Sequence, residues 1–133
     1  MDNLEDVLKN CCKIFNTELV KSGEIYLINA NIEETGRRQA IGIKIFYDDT
    51  IKEDVVLIYT KIGEISNSIN YVDMLTKLAL FPFIKIVIID NNLVVISEII
   101  LKSCNEEDLA TNIIRVAIGG DLLEKMFFCV DEF

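Results

Sequence analysis

Apolar positions repeat at helical spacing near the start of the chain. Leu4, Val7, Leu8, Cys11, Phe15 and Leu19 fall on one stripe, with Glu5, Lys9, Lys13 and Glu18 elsewhere, which predicts a helix over residues 3–20. Asp2 and Glu5 have capping-box spacing. Ser22-Gly23 is the expected stop, because glycine is favoured just past a helix end. The period then changes from about 3.6 to 2. Residues 24–32, 39–47 and 54–65 read as three strands, the third partly apolar on both faces. They are joined by the polar turn 33–38 and the charged connection 48–53. Such short links argue for an antiparallel meander. Ser66-Asn67-Ser68 offers an N-cap for a second helix over roughly 69–80. Its apolar face (Ile69, Val72, Leu75, Ala79, with Tyr71, Met74 and Leu78 beside it) is wider than one docking stripe needs. Pro82 ends it.

Residues 83–101 give the clearest pattern. FIKIVIID and LVVISEIIL flank Asn91-Asn92, and Asn tolerates the positive φ of a type I′ turn. A two-residue turn there places Ile89 opposite Val94, Val87 opposite Ile96 and Lys85 opposite Glu98. The opposite charges of the last pair support that register. Ser103-x-x-Glu106 is a capping box, with Asn105 as a rival cap. A third helix follows through Leu109, Ile113, Val116 and Ala117. Gly119-Gly120 is expected to interrupt it, with a short restart over Leu122–Phe128. The predicted architecture is one α+β domain spanning residues 1–133. Its single antiparallel five-stranded sheet carries helices on one face, in the order α-β-β-β-α-β-β-α.

One surface stands out. A sheet with helices on one face normally alternates apolar and polar positions, but this hairpin is apolar on both sides. Ile84, Ile86, Ile88, Leu93, Val95 and Ile99 share one face, and Phe83, Val87, Ile89, Val94, Ile96 and Ile100 the other. The first set can meet the helices. The second needs a cover, because six wet apolar side chains of this size forgo roughly 1.5–3 kcal/mol each. The terminal segment 121–128, a second copy of the chain or another protein can supply it. Phe83, Val87, Ile89, Val94, Ile96 and Ile100 are therefore the candidate protein-interaction residues.

Charge and composition narrow the chemistry. The chain carries 22 acidic and 13 basic residues, net −9. That field repels phosphate backbones and anionic lipid, so no nucleic-acid or membrane partner is expected. With no histidine, Ser-His-Asp and Cys-His catalysis fall away. The N-terminus lacks the basic and apolar regions of a secretory signal. The cysteines (Cys11, Cys12, Cys104 and Cys129) form no C-x-x-C pair and read as small reduced hydrophobes, so a cytoplasmic setting is expected.

Asp48, Asp49, Glu53 and Asp54 do not match a calcium loop and read as a solvated connection. Arg37-Arg38 beside Gly36 lacks the glycine-rich strand-to-helix context of a phosphate site. Asp121 after Gly119-Gly120 disfavours an anion there. Gly63 marks a bulge. No base is identifiable for Tyr26, Tyr47, Tyr59 or Tyr71. No catalytic residue, metal ligand or cofactor site is expected, and the chain reads as a non-enzyme.

The helix LEDVLKNCCKIF, the meander through DVVLIYTKIGEI, the helix INYVDMLTKLAL, the hairpin FIKIVIIDNNLVVISEIIL and the closing helix come in a familiar order. Together with the acidic charge and the size, it resembles the type III secretion chaperone-like fold, which includes small acidic class I secretion chaperones and the YbjN-like proteins of bacteria. The resemblance implies a non-enzymatic, dimeric module that binds other polypeptides through apolar patches on helices and sheet. The expected function is a protein-binding, chaperone- or adaptor-like homodimer. The alternatives are a small-ligand sensor with a pocket between sheet and helix, a longin- or roadblock-like module with two strands before its second helix, and an acidic immunity-type inhibitor of a basic partner.

Overall fold

The computed structural model describes residues 4–32 and 37–128. The elements are α1 (Leu4–Ile14), β1 (Val20–Ser22), β2 (Ile25–Ile32), β3 (Arg37–Asp48), β4 (Glu53–Glu64), α2 (Tyr71–Leu78), β5 (Lys85–Ile89), β6 (Asn92–Ile100), a 3-10 turn (Leu101–Ser103) and α3 (Glu106–Phe128). Six strands form one antiparallel sheet in the order β1-β2-β3-β4-β6-β5. Four strands precede α2, which departs from the longin- or roadblock-like order.

The sixth strand corrects the expected five. Asn16 adopts φ 54° and ends the first helix early, with Thr17 N–H donating to the Cys12 carbonyl at 3.0 Å. Asparagine is the residue besides glycine that takes this left-handed position most readily. The freed residues Val20–Ser22 then pair with Ile25–Leu27. The expected capping box involves Asp2, which lies outside the described residues, as do most of the 33–38 turn and Cys129.

The α2 cap differs from expectation, and the α3 cap is the second of the two candidates. Asn70, not the Ser66–Ser68 cluster, caps α2 by accepting from the Asp73 amide. Asn105 caps α3 by accepting from the Asp108 amide at 2.8 Å, and Ser103 sits in the preceding 3-10 turn.

The core lies between one face of the sheet and the helices. Leu8 and Cys11 of α1 and Leu109, Ile113, Val116 and Leu123 of α3 meet Ile28, Ile41, Ile43, Val56, Ile58 and Val95. α3 runs unbroken through Gly119 and Gly120, so the expected interruption and restart are absent. The glycines serve close packing instead. A Cβ on Gly119 would sit 2.7 Å from Ile84 Cδ1, and one on Gly120 would sit 2.5 Å from Thr60 Cγ2. Lost helix propensity is offset by a closer approach of α3 to the sheet. Segment 121–128 therefore stays on the helix side. Gly63 does mark a bulge, where the β4–β6 register shifts between Lys61 and Gly63.

Candidate protein-binding surface

The hairpin turn is Asp90-Asn91, with φ 49° and 65°, one residue earlier than expected. Pairing is Ile89 with Asn92, Val87 with Val94 and Lys85 with Ile96, a two-residue change from the expected register. An even change keeps each side chain on its face. The Lys85–Glu98 ion pair survives at 2.9 Å, now diagonal rather than directly opposite.

Val87, Ile89, Val94, Ile96 and Ile100 lie on the sheet face away from the core. They join a larger array. Register places Val20, Leu27, Gly42, Tyr59, Ile96 and Lys85 in one row across all six strands. The Tyr59 ring covers Gly42, whose Cβ would fall 2.3 Å from the ring, and burial pushes its phenol pKa up. Val94 and Ile96 are only 6% exposed, with Tyr59, Lys61, Val87 and Lys85 as same-face neighbours. Ile89 and Ile100 remain exposed and Val87 half-buried. Leu57, Tyr59 and Phe46 extend this face. For Leu57 and Tyr59 the signal was the two-faced apolar pattern of residues 54–65, which sequence alone does not assign to a neighbour.

Phe83 is not part of this row. It precedes β5, adopts φ 68°, and its ring lies 4.2 Å from the Arg115 guanidinium of α3. The positive φ breaks the alternation on which its assignment to the outer face rested.

Further large apolar side chains are exposed on α2 and on the outermost strand β5. α2 buries Met74 in the core but leaves Val72, Leu75 and nearby Leu80 exposed, as β5 leaves Ile88 and Ile89; these five are 46–78% exposed. Tyr71 and Ile88 line one shallow cleft with Ile65. α2 thus stands on the core side of the sheet, away from the outer face.

The other candidate chemistry resolves into structure. Asp48 accepts from the Thr50 and Ile51 amides at 2.8 and 3.3 Å and shapes the β3–β4 turn. Glu53 pairs with Lys102. Among the described residues, no group of three or more His, Cys, Asp or Glu side chains is placed to hold a metal ion. No helix among them is long and apolar enough to cross a membrane. Cys11, Cys12 and Cys104 are buried free thiols. Burial, with smaller effects of Glu106 and the other two cysteines, pushes Cys11 up to about 11. A thiol held protonated this way is a poor nucleophile.

No family model matches the sequence, and no curated protein matches it. Solved structures do. The Yersinia pestis type III secretion chaperone SycH, solved with a stable fragment of YscM2, superposes with a TM-score of 0.60 at 10% identity, covering 89% of this chain and 97% of that one. A chain of the heterodimeric ExoU–SpcU complex from the type III secretion system of Pseudomonas aeruginosa gives 0.60 at 12% identity, covering 90% and 97%. This chain has the type III secretion chaperone-like fold. In this secretion chaperone-like fold, the helices occupy one face of the sheet. The outer face and the β5 edge carry the apolar side chains described above.

Proposed function

We propose that the chain is a non-enzymatic, protein-binding module, chaperone- or adaptor-like, that works as a homodimer in the cytoplasm. The observation that carries this reading is the exposure of large apolar side chains on α2 and beside it (Val72, Leu75, Leu80) and on the outermost strand β5 (Ile88, Ile89). Exposed apolar side chains in such number mark a contact surface. On the outer sheet face half-buried Val87 follows Ile89, beside the buried Val94, and Ile100 is exposed at the far end of β6. Outermost strand β5 (KIVII) adds to the case, since an apolar edge strand invites a partner. Both similar structures are of complexes between proteins, which fits a polypeptide partner. Three buried free thiols fit a reducing compartment. The space between sheet and helices is packed with Leu8, Ile41, Ile43, Ile58 and Ile113, which favours a surface function over an enclosed ligand pocket.

Light scattering after gel filtration tests the reading. The wild type should elute at twice the 15.1 kDa chain mass, and Leu75→Glu and Ile88→Glu at the single-chain mass, both still folded by circular dichroism. A wild type that stays monomeric at micromolar concentrations, or dimers unaffected by both substitutions, would refute the homodimer at this edge.

A further inference from the structure

We propose that the cleft at the short end of β5 receives a basic side chain, arginine above lysine, carried by the partner polypeptide. This rests on the protein-binding reading above and names the chemistry of one anchor within it. β5 stops at Lys85, opposite Ile96, whereas β6 continues to Ile100. The gap leaves a cleft of about 430 Å³, its wall including Phe83, Ile84, Lys85, Glu98, Asp108 and Asn112.

Phe83 is the first reason to see a binding site here. It is a bulky residue at φ 68° and it is 69% exposed. Neither condition favours the folded state, and strain of this sort gathers where ligands are clamped. The second reason is that the ring already holds one cation. Arg115 lies over it at 4.2 Å, which shows that the ring face is offered to cations.

The third reason is charge. Ser97 donates to Asn112 Oδ1 at 2.8 Å, and Asn112 Nδ2 donates to the Asp108 carbonyl at 2.8 Å, so these neutral groups are satisfied. Glu98 shares its charge with Lys85. Among the described residues, no cation pairs with the Asp108 carboxylate. Phe83 and Asp108 line the same cleft, so a guanidinium seated there is offered a ring face and a carboxylate. The chain's net charge of −9 draws such a group inward.

NMR titration of the isotope-labelled full chain with acetyl-Ala-Arg-Ala-amide tests this, with the citrulline peptide as neutral control. The expected result is saturable shifts centred on the amides of Phe83, Ser97, Asp108 and Asn112. The citrulline peptide should bind at least about fivefold more weakly, because it keeps the shape without the charge. Asp108→Asn and Phe83→Gly should each weaken the arginine peptide about fivefold or more. Asp108→Glu should retain binding, and glycine accepts the positive φ at position 83. Equal affinity for citrulline, shifts scattered over the acidic surface, no shifts at these amides, or indifference to both substitutions would overturn the proposal. Light scattering on the same samples separates the two readings. A dimer that ignores the peptide sinks only the cleft, and a monomer that binds it sinks only the homodimer.

Discussion

Replacing Gly120 with alanine probes how tightly α3 rides on the sheet. Taken alone, the exchange favours a helix interior by about 1 kcal/mol. The new methyl, however, would lie 2.5 Å from Thr60 Cγ2. Thr60 cannot swing aside cheaply. Its hydroxyl donates to the Ala40 carbonyl at 2.7 Å and accepts from Gln39 Nε2 at 2.9 Å, and its β-branched side chain has few rotamers. Overpacking costs about 1–3 kcal/mol, and losing buried hydrogen bonds adds about 1–3. The net expectation is a loss of about 1–5 kcal/mol, about 3 at the middle, or a fall in Tm of roughly 10 °C for a domain of this size. Gly119→Ala is the control. Its methyl meets Ile84 Cδ1 at 2.7 Å, the far end of a flexible side chain, so stability should stay within about 1 kcal/mol of wild type. Urea and thermal unfolding followed by circular dichroism measure both. If Gly120→Ala proves no less stable than Gly119→Ala, the close-approach argument is wrong.

Further outcomes follow from the same structure. Asn105→Ala should cost about 1 kcal/mol as the loss of the α3 cap, while Ser103→Ala should change urea stability by less than about 0.5 kcal/mol; the reverse order would return the cap to Ser103. Cys11 is raised from its ordinary 9.0 to about 11 in the folded chain, chiefly by burial. The unfolded thiol therefore loses its proton first as pH climbs, so this stabilising contribution is intact below pH 9 and falls away between the two values. The loss is on the order of 2–3 kcal/mol and should shrink in Cys11→Ala when urea midpoints are compared across that window. The native chain should also leave Cys11, Cys12 and Cys104 unreactive to a thiol reagent at neutral pH; labelling at the unfolded rate would contradict their burial.

The element order was legible because periodicity carries it. Alternation in strands two to four and the stripe on the first helix follow from which side chains must leave water. The outer face of the hairpin was legible for a related reason. A β-strand has a period of two, so even an error of two residues in register left Val87, Ile89, Val94, Ile96 and Ile100 together. The acidic composition and the absence of histidine likewise turned attention from catalysis to surfaces without any coordinates.

Other features depended on neighbours distant in sequence. Gly119-Gly120 reads locally as a helix break, and only Ile84, just before β5, and Thr60 of β4 show why the helix continues. Val20–Ser22 becomes a strand only because β2 lies beside it to accept its hydrogen bonds. Phe83 left its predicted row because a positive φ after Pro82 turned it toward Arg115, a contact spanning the chain from the hairpin to the last helix. Val94 and Ile96 are buried with lateral neighbours on β4 and β5 beside them. Local sequence sets which conformations are inexpensive and which side chains seek cover; the partner that supplies the cover is chosen by contacts the chain makes only once it is folded.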